Sequence, residues 1–423
     1  MSETVLIDAP ANTPHTLPKS FMPTLALANL GIFLALLPPV MASMAFKISH
    51  IVADPKDAPG ALGLVLGVGA LFALIANPLF GRLSDRTMSK FGKRRPWILG
   101  GVVVGLASLA VIGAATSIWV IMAAWCVAQT AFNAVLAATN ATVPDQVPAE
   151  RRGAISGIVG MATPVGILGG VALVNVFAGD VERFVIPGLI GAALVVLFVL
   201  TLKDRRLETP PTEPFGLKQF FGSFVFNPAK HPDFGWTWLT KFLVMFGYAG
   251  VGTYMPYYLA NNFHLGEQEI TGTLLMTNLA SVGAMMISGP IGGIISDKVG
   301  KRRPFVALAG VILVIGLVMT AFAPSVPMVI LAQAILGFGG GAFFSVDLAL
   351  ATQVLPDPDD TAKDLGVLNI ANALPQSLAP AMGPAILAIG AATGIGQYQF
   401  WYLFGAAVSL AGAVLVYRIK SVK

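Results

Sequence analysis

The sequence predicts an all-α membrane protein: twelve transmembrane helices in two pseudo-symmetric six-helix bundles. Three observations carry that prediction. Of 423 residues, 56% are hydrophobic and only 11% are charged, against about 25% charged in an ordinary globular domain. The charge-free stretches are each long enough to cross a bilayer. Polar landmarks of the first half return in the second at a fixed offset.

A spanning helix needs about 20 mostly apolar residues at ~1.5 Å rise each. Stretches free of Asp, Glu, Lys and Arg run over 20–46, 58–81, 97–144, 153–179, 184–202, 242–266, 270–296, 304–346 and 365–417. Three of them hold 48, 43 and 53 residues, room for two helices each. Each of the three has a turn signal near its middle: Ala115-Thr116-Ser117, Ala323-Pro324-Ser325 and Gly394-Ile395-Gly396. Twelve spans result. No run shows the ten-residue alternation of a barrel strand. Pro38-Pro39 predicts a kink in the first span.

Charge placement sets the orientation. Residues 1–20 are polar and lack a basic stretch before a short apolar core, which reads as a tail and not a signal peptide. With that tail inside, 22 of the 26 Lys and Arg fall in inside segments. The outside loops hold Lys47, Lys56 and Arg183, and Lys241 lies within span seven. The expected site is therefore a bacterial cytoplasmic membrane with both termini cytoplasmic. The net charge of +5 then reports topology, so no nucleic-acid partner is expected. The lone cysteine, Cys126, excludes an intrachain disulfide.

The longest polar stretch follows span six. The expected organisation is a tail 1–20, a first bundle 21–202, a linker 203–236, a second bundle 237–418 and an end 419–423. Ser84-Asp85 and Lys93-Arg94-Arg95-Pro96 of the first half return as Ser296-Asp297 and Lys301-Arg302-Arg303-Pro304. Asp85 and Asp297 lie 212 positions apart, as do Asp145 and Asp357. Parallel six-helix repeats are what alternating-access carriers are built from.

Gly81-Arg82-Leu83-Ser84-Asp85-Arg86 followed by Phe91-Gly92-Lys93-Arg94-Arg95-Pro96-Trp97 resembles the loop 2–3 signature of the major facilitator superfamily. With Pro144-Asp145-Gln146-Val147-Pro148, and Asp364-Leu365-Gly366 through Asn369 to Leu374-Pro375-Gln376, it is similar to the glycoside–pentoside–hexuronide cation symporters and the related sucrose-type proton symporters. The resemblance implies that Asp85, Arg86 and Arg95, with Asp297 and Arg303, help close the cytoplasmic side. The acids would face helix N-termini, which favour an anion; topology alone is the other reading of the basic residues. The sequence departs from its relatives in having no acid in spans two and four. Sodium coupling, which the melibiose-type members support with carboxylates there, is not implied, and the sucrose-type acid of span four is missing too.

Two charges fall inside spans. Asp347 sits about seven residues before the expected end of span ten, and Lys241 one turn into span seven. A charge at that depth is costly and by default functional. A carboxylate in low dielectric favours its protonated form, which a nearby ammonium opposes. Asp347 with Lys241 is thus the candidate proton-coupling site; a structural ion pair is the alternative.

Sugar recognition needs amides for hydroxyls and aromatics for the ring face. Trp125, Gln129 and Asn133 recur at i, i+4, i+8. Tyr254 and Tyr258 do so at i, i+4. Gln333 and Phe344 share a face with Asp347; Asn369, Asn372 and Gln376 share another; Asn29 and Asn278 are further candidates. Amides also bind helices to one another, so each has a packing alternative. Trp236, Trp238 and Trp401 read as interfacial anchors.

The function expected is a monomeric secondary active transporter of a sugar or glycoside, proton-coupled and without cofactor or metal. Proton-coupled efflux of amphipathic compounds and uncoupled sugar uniport are alternatives. An enzyme is not expected, because no phosphate-binding Gly-x4-Gly-Lys-Ser/Thr loop and no nucleophile–base pair within a span occur.

Overall fold

The computed structural model describes residues 20–148, 155, 159–204, 206, 207, 226–356 and 361–422. Residues 1–19 of the expected tail, most of the linker, Arg151-Arg152, the Asp357 landmark and residue 423 lie outside the described residues.

The helices follow in order: α1 Phe21–Ile51, α2 Ala58–Asp85, α3 Arg95–Ala114, α4 Ile118–Asn140, α5 Ala162–Val176, α6 Asp180–Thr201, α7 Pro232–Thr253, α8 Glu267–Val299, α9 Arg302–Ala321, α10 Val326–Ala351, α11 Thr361–Thr393 and α12 Gln397–Leu415. Among the described residues, nine helices are long and apolar enough to cross a membrane. Helices are what such a sequence must form, because hydrocarbon offers backbone groups no other partner. The breaks between α3 and α4, α9 and α10, and α11 and α12 fall at the three expected turn signals. Gly300, at φ 68°, adopts the left-handed conformation that ends α8 and turns the chain into α9.

Two helices are interrupted. After Pro38 and Pro39 the chain of α1 widens into a π-helical turn, Pro39–Ser43, then resumes as Met44–Ile51. This is the expected kink, made without breaking the helix. At Tyr254, φ −103° and ψ 3°, α7 stops and continues as a short helix, Met255–Phe263, with Pro256 in its first turn.

The two bundles are built alike. In the first, α1 packs on α6 and α5, α4 on α2 and α3, and α3 on α6. In the second, α7 packs on α12 and α11, α10 on α8 and α9, and α9 on α12. The bundles meet where α2 packs on α11 and α5 on α8. Exchanging the bundles maps each of these two contacts onto the other. Small residues permit the closest crossings. A Cβ on Gly31 of α1 would overlap the carbonyl of Gly191 on α6, and one on Gly247 of α7 would overlap Ser409 and Gly405 of α12. The glycines of α10 serve packing too: Gly337 and Gly341 lie against Ser281 and Met285 of α8.

Two helix ends differ from expectation. Pro232 at the first helical position starts α7 inside the expected linker, so Lys241 lies nine residues into the helix, about 13 Å at 1.5 Å per residue. The other end is α10, which stops at Ala351, leaving Asp347 four residues from its terminus.

The α1–α6 crossing yields a prediction. Gly31→Ala should destabilise the protein by about 1–3 kcal/mol through forced separation of the helices. Gly60→Ala, with nothing within 4 Å of the new Cβ, should be silent. Thermal unfolding in detergent compares the two; equal midpoints would show that the crossing opens freely.

Candidate functional site

The polar groups fall into three layers along the helices. The first is at the end where α1 begins and α12 ends. Arg94, just before α3, is 2% exposed and reaches the ends of two other helices. Its guanidinium donates to the Asp85 carboxylate and the Ser84 hydroxyl at the end of α2, and through Nε to Asp145 Oδ2 at 3.0 Å beyond α4. Lys93 Nζ lies 2.9 Å from the other Asp145 oxygen. Asp204, just past α6, accepts from the backbone N–H groups of Arg94 at 2.7 Å and Arg95 at 2.8 Å, so its negative charge caps α3. That carboxylate sits where a side chain at position 92 would lie, and Gly92 holds φ 103°.

Asp85 and Arg95 were both expected to help close the cytoplasmic side. The structure gives Asp85 to Arg94, while Arg95 donates to the Leu202 carbonyl behind α6. The second half repeats this division. Arg302 bonds Asp297 at 2.8 Å, and Arg303 Nη1 donates to the Ile419 carbonyl behind α12 at 2.6 Å. In each half the first arginine ties one helix hairpin and the second ties the half's last helix. Asp85 and Asp297 remain 56% and 64% exposed, and Arg86, next to Asp85 in the sequence, is half-buried.

The second layer lies within the spans. Lys241 Nζ of α7 is 2.9 Å from Asp347 Oδ2 of α10, with side chains 7% and 3% exposed. The two intramembrane charges are thus brought together. Counting back 212 positions from Lys241 gives Asn29, which is buried in α1 and donates to the Leu25 carbonyl while its Oδ1 has no hydrogen-bond partner.

The amides of the first half form a chain across two helices. Asn77 of α2 donates to Asn133 Oδ1 at 3.4 Å, and Asn133 Nδ2 donates to the Gln129 carbonyl at 2.8 Å and to Gln129 Oε1 at 3.2 Å. In the second half Asn369 and Gln376 are exposed on α11, and Asn372 between them is half-buried with an unsatisfied Oδ1. Gln376 Nε2 donates to the Asn372 carbonyl at 3.4 Å. Asn278 of α8 is half-buried and bonds the Leu274 carbonyl; Phe344 of α10 is exposed and meets Tyr248 edge-on.

The remaining predicted residues are engaged elsewhere. Trp125 is fully buried against Gly69 of α2. The Tyr254 hydroxyl donates to the Pro380 carbonyl at 2.8 Å, which joins α7 to α11. The Tyr258 hydroxyl donates to the Thr320 carbonyl at 2.6 Å, and its ring lies edge-on to Tyr402. Gln333 Nε2 lies 3.4 Å from Thr320 Oγ1. These four present no free face in this conformation.

The third layer, at the opposite end, was not foreseen. Asp180 and Arg183 of α6, Lys47 and His50 of α1, and Glu267 of α8 interlock there. Nearby, Thr271 and Gln268 of α8 donate to Asn175 of α5, and Tyr257 donates to the Ala45 carbonyl of α1. Asn77 and Asn175 carried a sequence signal, as amides in apolar spans; Asp180, Lys47, His50, Arg183 and Glu267 lie near helix ends.

The two arginines that hold an acid differ in depth, which can be measured. Arg94→Ala would remove the buried donor shared by Asp145 and Ser84, with Lys93 still paired to Asp145, and should cost about 1–3 kcal/mol. Arg302→Ala removes a contact to an exposed carboxylate and should cost under about 1 kcal/mol. Comparable losses of thermal stability would contradict this ordering.

The Major Facilitator Superfamily family model matches residues 21–292 and 237–423. Over 191 residues the sequence is 30% identical to the inner membrane symporter YicJ of Escherichia coli (strain K12), covering 41% of this chain and 40% of the relative. Over 256 residues it is 25% identical to the multidrug resistance protein MdtG of Yersinia enterocolitica, covering 58% of each. The chain thus spans about half the length of these curated relatives. A crystal structure of a D-xylose-proton symporter superposes with a TM-score of 0.70 at 13% identity, over 95% of this chain and 98% of that one. With the family model matched from residue 21 to the last residue, and with the fold of these solved neighbours, the chain belongs to the Major Facilitator Superfamily.

Proposed function

We propose that this protein is a secondary active transporter that carries a sugar or glycoside by alternating access, in symport with protons. The buried Lys241–Asp347 pair carries this reading. It holds the two charges of opposite sign that lie within the spans, on helices of one bundle. Protonating Asp347 removes the attraction to Lys241, so proton binding alters how α7 meets α10. That is the link a coupled carrier requires between an ion and a conformation.

The substrate site lies between bundles 21–202 and 237–418. Asn77, Asn133 and Gln129 offer hydroxyl partners from the first; Asn278, Asn369, Asn372 and Gln376 do so from the second, with Phe344 as a ring platform. Trp125, Tyr254, Tyr258, Gln333 and Asn29 stiffen its walls. The end where α1 begins and α12 ends is cytoplasmic, on the strength of the Lys and Arg distribution. The Arg183–Glu267 bond across the bundles at the opposite end supports reading this conformation as inward-facing. Asp85, Arg86, Arg95, Asp297 and Arg303 would then close the cytoplasmic side when the bundles rock.

The similarity to YicJ, a symporter by name, supports symport, and the resemblance of the Arg-Arg-Pro-Trp loop to sugar symporters supports the substrate class. The similarity to MdtG supports a second reading, proton-coupled efflux of amphipathic compounds.

Uptake in proteoliposomes over a panel of mono- and disaccharides, with and without an imposed pH gradient, tests the proposal. One sugar should accumulate with the gradient. Asp347→Asn should abolish that accumulation while sparing counterflow. Unchanged accumulation in this variant would overturn the coupling role, and counterflow without any gradient effect in the wild type would indicate uniport. Drug extrusion without sugar uptake would favour efflux.

A further inference from the structure

His50 at the outer end of α1 lies between two carboxylates. Its Nδ1 is 2.8 Å from Asp180 Oδ1 on α6, and its Nε2 is 3.1 Å from Glu267 Oε2 on α8. Each carboxylate has a second, fixed cation. Lys47 Nζ lies 3.0 Å from Asp180 Oδ2 and also donates to the Gly113 carbonyl at 2.8 Å. Arg183 donates to Glu267 Oε1 and, through Nε, to the Phe177 carbonyl at 2.8 Å. Since α1 and α6 belong to the first bundle and α8 to the second, His50 and Arg183 hold the bundles together at this end.

The donor count decides the chemistry. A neutral imidazole has one N–H and one lone pair; only the imidazolium has two donors. A neutral His50 between two ionised carboxylates would direct its lone pair at an anionic oxygen. The two contacts are satisfied together only when the trio holds one further proton, on the imidazole or on one carboxyl. The fixed charges do not replace it, because Lys47 and Arg183 balance Asp180 and Glu267 and are already committed to them. Glu182 on α6 and Glu269 on α8 add negative charge at this end, where Asp54, Lys56 and Asp57 lie in the α1–α2 connection and His264 precedes α8.

We propose that His50, Asp180 and Glu267 form a proton-binding latch. Closing this end of the protein takes one proton from the adjacent aqueous phase, and opening it returns that proton. Closure is favoured at low pH and lost as pH rises, because the closed arrangement holds the extra proton. The latch is separate from the Lys241–Asp347 pair and depends on neither a sugar nor its coupling.

The test therefore uses no substrate. The full chain, with Cys126→Ser, carries spin labels at Ala178→Cys on the first bundle and Asn262→Cys on the second, both exposed near the latch. Distances are measured in lipid nanodiscs from pH 5 to 8.5. The ratio of closed to open populations should fall with rising pH, by up to about tenfold per unit for one proton. His50→Ala should remove this dependence. Glu267→Gln gives a second check. An amide there can accept from Arg183 through its oxygen and donate to a neutral His50 through its nitrogen, so this variant should stay closed at high pH, where the wild type opens. A wild-type distribution that ignores pH, a full pH response in His50→Ala, or a Glu267→Gln protein open at every pH would each overturn the latch. Failure here leaves the transport reading standing, and loss of sugar uptake leaves this measurement unaffected.

Discussion

Hydrocarbon supplies no hydrogen-bond partner, so the backbone and most polar side chains this chain carries into its spans are answered by the chain itself. That requirement organises the molecule. It drives the backbone into helices. It brings Lys241 and Asp347 to 2.9 Å across α7 and α10, links Asn77 to Asn133 and Gln129, and turns the Tyr254 and Tyr258 hydroxyls onto the Pro380 and Thr320 carbonyls. The remaining charges are pushed to the two ends, where water can share them. A carrier needs this division: a middle that is polar in a few places, and ends that can be tied or untied at modest cost.

The repeat gives both bundles one scaffold and allows them different chemistry. The pairing of α1 with α6 returns as α7 with α12, and the arginine pairs do the same work twice. Yet the position occupied by Asn29 in the first bundle holds Lys241 in the second. A neutral amide can be satisfied within its own helix, as Asn29 partly is through the Leu25 carbonyl. An ammonium at the same depth demands an anion from another helix, and Asp347 answers it. Two bundles with equal packing thus differ in how firmly one pair of helices is held.

The fold was legible from the sequence because its governing signals are local. Charge-free length, turn residues and the 212-position repeat all depend on near neighbours or on simple counting. The start of α7 was misjudged because Pro232 and Asp233 look like linker but are good first-turn residues. Within the site, Lys241 and Asp347 stood out because a charge in an apolar run is conspicuous. The aromatic stripes did not reveal their surroundings: i, i+4 spacing defines a helix face but not what that face meets, and Trp125 meets Gly69. The assignment of Asp85 to Arg94, the cap supplied by Asp204 and the interlock at the far end all join residues from separate helices. Adjacent arginines differ in partner because successive residues around a helix start point in different directions, which composition does not encode.

The widened turn at Pro39–Ser43 has a bearing on the geometry of α1 as a whole. Five residues carry the chain around where fewer would do in an ordinary turn, so the segment Met44–Ile51 is rotated in phase relative to Phe21–Pro38. The inner two thirds can then seat Gly31 against Gly191 while the outer third independently aims its own side chains at α6 and α8. One rod therefore meets two azimuthal requirements that a uniform helix of the same sequence length could not satisfy at once.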